Sequence, residues 1–236
     1  MTDDTAYVDV FKAAAAECWE LHSNDVMAVR CEDKSVGVVE TTAGFYDLSR
    51  KSQFTYREID DHGSTRRLVL VLESPHKAEY PFGRKKGDIR PAKGPTGGNI
   101  RKYLGRLLED NSLSLSEPVE LLLVNAVQYQ CSQRRSLVND GDRAKRDCVF
   151  REAFGFGTES QGVEFAARLS RYLLRADDIV LNCCGKGVTN PPMCDLVLDA
   201  LQKLPDRQFV LHCTSHPYSW IADVNRLFRK NLLIAP

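Results

Sequence analysis

The sequence lacks an excess of charge of either sign, and it also lacks a long apolar run. Lys plus Arg and Asp plus Glu number 32 each, so the formal net charge is zero. A protein that binds nucleic acid by charge alone carries a strong positive excess, so this class is excluded, although a local basic face is still compatible with the composition.

No segment approaches the roughly 20 apolar residues that a membrane-spanning helix needs. Residues 1–4 do not resemble the start of a signal peptide. We therefore expect a cytoplasmic protein without a membrane partner.

Clustered cysteines are also missing. The chain has eight cysteines, and none of them forms a C-x-x-C pair. Zinc and iron–sulfur sites need tighter clustering of their ligands. Cys183 and Cys184 are adjacent within an apolar segment, and Cys213 lies in another. In a reducing compartment such residues behave as small hydrophobic side chains. The sequence therefore predicts no metal site and no cofactor.

The composition is that of a globular protein, and its pattern changes near residue 66. The chain has 236 residues, of which 43% are hydrophobic, enough for one domain with a core and an added subdomain. Residues 6–22 have the spacing of an amphipathic helix, and 26–31 and 36–41 resemble short strands. We interpret residues 1–65 as an N-terminal α+β extension packed on a core domain that spans 66–236.

Four short segments of the core domain are apolar throughout, which is typical of strands buried on both faces. They are 68–72, 121–124, 179–181 and 209–211. Helix-like segments lie between them at 98–109, 162–175 and 193–203. Strands that alternate with helices predict an α/β fold, with a mainly parallel central sheet and helices on both faces.

Polar residues directly follow these apolar segments. In parallel sheets, ligands bind beyond the carboxyl ends of the strands. Glu73 and Ser74 follow the first segment, Asn125 ends the second, and His216 follows the fourth. A carboxylate held at a pocket floor can orient a water molecule or stabilise a developing positive charge. The sequence therefore predicts an active site formed by these strand ends. An alternative role for Glu73, in which its carboxylate caps nearby backbone N–H groups at the strand end, stays open.

Basic and glycine residues are concentrated in residues 83–98, just before a predicted helix near Asn99. Backbone N–H groups at a helix start attract phosphate, although a solvated loop is an open alternative. In the last loop, Tyr218 or Trp220 is suited to stack on a base or to wedge into a duplex. The residues that we expect to contact DNA are Lys85, Lys86, Lys93, Thr96, Gly97, Arg134, Arg135, Ser215, Tyr218 and Trp220.

Taken in order, these segments resemble the uracil-DNA glycosylase superfamily over roughly residues 66–222. Five motifs of that family carry the resemblance: the Gly-Gln-Asp-Pro-Tyr-His strand end, the Pro-Ser-Leu-x-Asn-Ile helix start, the Leu-Leu-Leu-Asn strand, the apolar strand with a glycine turn, and the His-Pro-Ser-Pro loop. In the same order, the matching segments here are Leu72–Lys77, Pro95–Leu104, Leu122–Asn125, Ile179–Gly185 and His216–Ser219.

The resemblance implies a DNA glycosylase that flips a nucleotide out of the helix and hydrolyses its N-glycosidic bond. Asn125 matches the residue that reads the edge of the base, for which an amide is suited, and Pro75 belongs to the same base-binding motif. His216 matches the residue that stabilises the departing base. Ser74 replaces the water-orienting Asp, so Glu73 beside it is expected to supply the carboxylate.

His76 stands where the family has a tyrosine that excludes bulky bases. This change predicts a modified or damaged base as the target, such as a bulky modified pyrimidine of phage DNA. The expected partner is double- or single-stranded DNA, and the expected state is a monomer.

Two other functions stay open. The segment Leu70–Pro75 also resembles the Toprim strand of topoisomerases and primases, and Asp140 and Asp142 would then bind magnesium. However, about twenty residues separate Glu73 from the next predicted helix, which is longer than the usual loop in such units. The second alternative is a catalytically inactive nucleic-acid-binding module, because Ser74 is a poor base and a fold does not imply an activity.

Overall fold

The computed structural model describes residues 4–39, 41–42, 45–46, 54–60, 62–63, 65–80, 89–110, 113, 115, 117–155, 162–204 and 209–221. The strands in this part of the chain are Lys34–Val39 (β1), Thr41–Thr42 (β2), Phe45–Tyr46 (β3), Arg67–Leu72 (β4), Val119–Asn125 (β5), Asp178–Asn182 (β6) and Phe209–Cys213 (β7). The α-helices are Asp4–Trp19 (α1), Pro95–Asp110 (α2), Asp140–Phe154 (α3), Val163–Tyr172 (α4) and Met193–Gln202 (α5).

Five of the strands form one sheet in the order β1-β5-β4-β6-β7. The four strands β5, β4, β6 and β7 run parallel, and β1 pairs with β5 in the antiparallel direction. The sequence-based prediction of a mainly parallel α/β sheet is confirmed. Leu72 is paired with Asn125, and Asn182 is paired with Cys213, so the carboxyl ends of the parallel strands lie close together at one edge.

The sheet is covered on both faces, which explains why its central strands are apolar throughout. Val69 and Val71 of β4 face one core, which α1, α3, α4 and α5 complete. Leu68, Leu70 and Leu72 face a second core, to which α2 contributes. Successive side chains of a strand point to opposite faces. Since both faces of the sheet are buried, every residue of β4 after the first is apolar, and the alternation of apolar and polar residues that is typical of a half-exposed strand is absent.

The N-terminal residues contribute to the same sheet and to the same core. Phe11 and Ala15 of α1 are fully buried against α3, and β1 is an edge strand of the sheet. The prediction of a strand at 26–31 is wrong, because these residues are irregular and the strand begins at Lys34. The division at residue 65 stays a prediction.

Two of the eight cysteines form a disulfide bond that the sequence pattern did not predict. Cys18 at the end of α1 and Cys148 in α3 form a disulfide bond, with a Cα–Cα distance of 6.2 Å. Cys31, Cys131 and Cys183 are buried free thiols. The disulfide therefore joins α1 to α3.

Helix α3 is not predicted by the sequence pattern, because its first two turns are highly charged and carry no apolar stripe. Its start is defined locally, since Oδ1 of Asn139 accepts a hydrogen bond of 2.8 Å from the backbone N–H of Asp142. Helix α2 begins at Pro95 rather than near Asn99, because proline is well suited to the first position of a helix. None of the helices in the described residues has the length and apolar content needed to cross a bilayer.

Candidate active site

A pocket of about 450 Å³ lies at the carboxyl edge of the parallel strands. Residues 73–76 after β4 form one wall, and Gly185 after β6 and His216 after β7 contribute others. Thr96 in the first turn of α2 and Arg146 of α3 complete the surroundings. The volume lies within the range of small-molecule sites, roughly 300–1,000 Å³. Most of the predicted catalytic residues therefore surround one cavity.

Glu73 is held by an ion pair within this pocket. It is only 8% exposed, and its Oε1 lies 2.9 Å from Nη1 of Arg146. Nε of Arg146 in turn donates to Oδ1 of Asp147 at 2.6 Å. The other oxygen of Asp147 accepts the backbone N–H of Val188 at 2.6 Å, which ties α3 to the loop after β6. We call Glu73, Arg146 and Asp147 the pocket network.

Arg146 and Asp147 act in opposite directions on the pKa of Glu73. Burial raises the pKa of Glu73 above its usual value, Arg146 opposes this shift, and the negative charge of Asp147 adds to it. A Cβ atom at Gly185 would lie 2.9 Å from Oε2 of Glu73, so a larger residue there would displace the carboxylate from its present position. Arg146 is therefore the group that favours the charged form of Glu73.

Ser74 is half-buried on the pocket wall and is not placed beside a base. Its hydroxyl donates to the thiol of Cys131, a buried residue in the turn that follows β5. The interaction lowers the pKa of this thiol, but burial outweighs it and raises the pKa well above the usual value. Pro75 beside Ser74 is buried on the same wall. The contact that the structure gives to the Ser74 hydroxyl is therefore a thiol, and the carboxylate of this strand end belongs to Glu73 beside it.

His216 is neutral in this environment. Burial, together with the positive charge of Arg146 and the proximity of His76, lowers the pKa of His216 to about 4. Its Nδ1 accepts the backbone N–H of Tyr218 at 3.2 Å. The proton of the neutral ring is therefore assigned to Nε2. His76 lies at the exposed rim of the pocket, and its Nδ1 accepts the N–H of Ala78 at 3.2 Å.

Asn125 does not line this pocket. Its side chain is 1% exposed, its Nδ2 lies 3.8 Å from the Cys31 thiol, and its Oδ1 has no hydrogen-bond partner within the described residues. The backbone of Asn125 is held from two sides: its N–H donates to Asp33, and its carbonyl accepts from Nη2 of Arg168 at 3.0 Å. The base-reading role of Asn125 stays a prediction, and the structure places it behind the pocket wall.

The residues that we expected to contact DNA are distributed unevenly. Thr96 and Tyr218 line the pocket, and Tyr218 is 59% exposed at its mouth. Gly97 is buried, and a Cβ atom there would lie 1.8 Å from the carbonyl oxygen of Ala92, so it serves the packing of the helix start. Lys93 is exposed just before α2.

Arg134 and Arg135 are exposed on the turn after β5 and do not belong to the pocket wall. Lys85 and Lys86 lie outside the described residues. Contact of these four side chains with DNA therefore stays a prediction.

Trp220 is a core residue rather than a surface residue. It is fully buried in the core on the α2 side of the sheet, and its Nε1 donates to the carbonyl oxygen of Ser215 at 2.9 Å. An indole that is sealed in the core cannot stack on a base, so the expectation of DNA contact is corrected for Trp220. Its packing anchors the loop that carries His216, and Ser215 contributes its backbone to that anchor.

Three residues in or beside the pocket wall were not predicted as site residues. Arg146 and Asp147 belong to α3, and Glu79 belongs to the 3-10 turn Lys77–Glu79. The spacing of Arg143 and Arg146 would place both on one face of a helix, but this signal is usable only if α3 is recognised. Glu79 lies three residues after His76, the spacing of a capping box.

No protein-family model matches the chain, and no curated protein or solved structure matches it either. Within the part of the chain that the structure describes, no three His, Cys, Asp or Glu side chains are grouped so as to hold a metal ion. Asp140 and Asp142 lie in the first turn of α3, where Asp140 pairs with Arg143 at 3.1 Å. The geometry of the pocket itself therefore carries the functional argument.

Proposed function

We propose that the protein is a DNA glycosylase that removes a modified or damaged base and leaves an abasic site. The observation that supports this proposal most strongly is the convergence of a buried carboxylate, Glu73, and a neutral imidazole, His216, on one pocket at the carboxyl edge of the sheet. These two groups can serve the hydrolysis of an N-glycosidic bond, one for the water and the sugar and one for the departing base.

In the proposed reaction, the bond between C1′ of the sugar and the base nitrogen breaks, and the base leaves with the electron pair. Glu73 stabilises the positive charge that develops on the sugar and accepts a proton from the water that attacks C1′. The Nε2–H of His216 donates a hydrogen bond to the oxygen on which the base anion carries its charge. A neutral histidine is suited to this task because, with Nδ1 accepting from Tyr218, its Nε2–H is available as a donor at neutral pH.

The remaining pocket residues are suited to hold the nucleotide. Arg143 lines the pocket, and its guanidinium group is suited to contact a phosphate of the nucleotide. Thr96, in the first turn of α2, lies where helix N–H groups favour phosphate. The exposed ring of Tyr218 at the mouth is suited to stack on a base or to occupy the gap that a flipped nucleotide leaves.

The proposal is tested with DNA duplexes that carry uracil, hypoxanthine, hydroxymethylcytosine or glucosylated hydroxymethylcytosine. Abasic sites are detected as strand breaks after alkali treatment. We expect a product from at least one duplex, and we expect Glu73→Gln to lower the rate by about 10²- to 10⁴-fold. The matched control is Glu109→Gln, an exposed residue of α2. If folded protein forms no abasic product from any duplex, the proposal is wrong.

A binding module without catalysis is the second candidate, and two contacts favour it. Glu73 is engaged by Arg146, and Ser74, at the position of the family aspartate, is engaged by Cys131. This candidate predicts that Glu73→Gln and Asn125→Ala bind DNA with the affinity of the parent while no substrate is cut. A measurable rate of cleavage that depends on Glu73 excludes it.

A further inference from the structure

Glu79 is a buried carboxyl group on the pocket wall to which the proposed reaction gives no role. It is 4% exposed and ends the 3-10 turn that begins after His76. Its side chain accepts hydrogen bonds from the backbone N–H groups of His76 and Ala92. Its Oε2 atom is buried and has no hydrogen-bond partner within the described residues.

The surroundings of Glu79 favour its uncharged form. Burial is the largest influence and raises the pKa of Glu79 to about 8, while the two backbone hydrogen bonds act in the opposite direction. The groups that sense its charge from neighbouring segments are Cys31, Tyr56 and Tyr80, which carry no charge at neutral pH. Across the pocket, the charged or titratable side chains are Glu73, Arg143, Arg146, His76, His216 and Tyr218.

A purely structural role accounts for only part of this arrangement. A Glu at the third position of a turn commonly reaches back to the N–H of the capping residue, here His76. That contact uses one carboxyl oxygen. The second oxygen, Oε2, has no hydrogen-bond partner within the described residues, although buried polar atoms in proteins are almost always hydrogen-bonded. A ligand in the pocket is therefore the missing partner that the geometry suggests.

We propose that Glu79 is a specificity-determining residue, which in its neutral form donates Oε2–H to a lone-pair acceptor of an uncharged base. The acceptor is a ring nitrogen or a carbonyl oxygen on the edge of that base. A cationic base, such as an N-alkylated purine, offers fewer acceptors and would instead require an ionised Glu79. This inference rests on the proposed function, because it takes the occupant of the pocket to be a nucleobase.

The test measures binding rather than cleavage, from about pH 6 to about pH 10, a range that brackets the titration of a carboxyl buried as Glu79 is. The probes are duplexes with hydroxymethylcytosine, uracil or the cationic base 7-methylguanine, and a duplex with an abasic-site analogue at the same position. The proteins are the parent, Glu79→Gln and the exposed control Glu109→Gln. Urea unfolding checks that each variant is folded.

For the parent and Glu109→Gln, we expect the affinity for an uncharged base to fall about tenfold per pH unit above about pH 8, because the donor is lost when Glu79 ionises. For Glu79→Gln, we expect a flat profile, because its amide donates at every pH. Binding of the abasic duplex is expected to be the same in all three proteins, since the contact is made to the base.

Several outcomes would overturn the inference. They are identical pH profiles for parent and Glu79→Gln, tighter binding above pH 8, preference for 7-methylguanine, and no duplex bound better than the abasic one. The two proposals fail separately. Cleavage with no effect of Glu79→Gln on binding rejects the inference and keeps the glycosylase. The expected binding profile without any abasic product keeps the inference and rejects the glycosylase.

Discussion

Two buried ion networks lie at the carboxyl edge of the sheet, and they use the same residue types. The pocket network joins Arg146 of α3 to Glu73 and Asp147. The second network, which we call the sealed network, joins Arg168 of α4 to Asp33 and Glu164. Each network therefore pairs one arginine with two carboxylates, yet the first contributes to the wall of the pocket and the second does not.

The two networks differ in whether their arginine side chain is exposed to the pocket. The side chain of Arg168 is 3% exposed, whereas that of Arg146 is 14% exposed and lines the cavity. Arg168 also donates to the carbonyl oxygens of Asn125 at 3.0 Å and Ala126 at 3.2 Å, so it holds the end of β5. The sealed network thus fixes the backbone, while the pocket network controls the charge of a side chain that a ligand can reach.

The largest effect on stability is expected from the sealed network. Arg168→Met removes the partner of two buried carboxylates, and breaking a buried ion pair in this way typically costs about 3–5 kcal/mol. We expect a loss of this size in the free energy of unfolding, measured with urea. Arg171→Met on the same helix is the control. A loss below about 1 kcal/mol, the value of a surface pair, would show that the sealed network is not structural.

The pocket network is expected to act on catalysis more than on stability. In Arg146→Met, burial is no longer opposed and the pKa of Glu73 rises further, so a larger fraction of this carboxyl group is protonated at neutral pH. We expect the rate of abasic-site formation to fall about 10²-fold at neutral pH.

The acidic limb of the pH–rate profile distinguishes control of charge from simple packing. It should move to higher pH in Arg146→Met and return towards the parent position in Arg146→Lys, which restores a positive charge. If the limb stays in place in both variants, Arg146 does not control the charge of Glu73.

The disulfide bond is expected to stabilise the packing of α1 on α3, the helix that carries Arg146. The two cysteines are separated by 130 residues. Closing so long a loop in the unfolded chain typically stabilises a protein by about 2–4 kcal/mol. A reducing agent should lower the melting temperature of the parent but not that of Cys18→Ser/Cys148→Ser. An equal effect on both proteins would contradict this prediction.

A pH dependence of stability is also expected to originate in the pocket. The pKa of His216 is about 4 in the folded protein, below its ordinary value of 6.5. Between these two values the unfolded chain binds more protons, so the free energy of unfolding falls as the pH drops from about 6.5 to about 4. His216→Gln should flatten part of this decline, measured by urea unfolding across the range. The exposed His22→Gln should leave the decline unchanged.

The helices show where sequence reasoning was sufficient and where it was not. Helix α4 has an apolar side that packs on the core through Phe165 and Leu169, and its pattern predicts a helix at this place. Helix α3 begins with charged residues that pair with one another and with neighbouring segments, so its pattern resembles a loop. The helix that carries Arg146 was therefore missed, and with it the partner of Glu73.

The candidate site likewise contains residues that the sequence revealed and residues that it did not. Glu73 and His216 were found because each follows an apolar strand, and parallel strands end at a common edge. Trp220 was misplaced because a sequence does not distinguish an aromatic ring that faces solvent from one that closes a core. Glu79 was missed because its importance lies in its burial and in an oxygen without a partner, which are properties of three-dimensional packing.

The sequence by itself determined the parallel sheet and the edge at which polar residues meet, because continuous apolar segments and the residues that follow them are local signals. Only the tertiary structure decided which charges are paired, which histidine is neutral and which carboxyl faces the pocket. Those properties depend on burial and on partners from distant parts of the chain: Arg146 and Glu73 are 73 residues apart, and Arg168 and Asp33 are 135 apart.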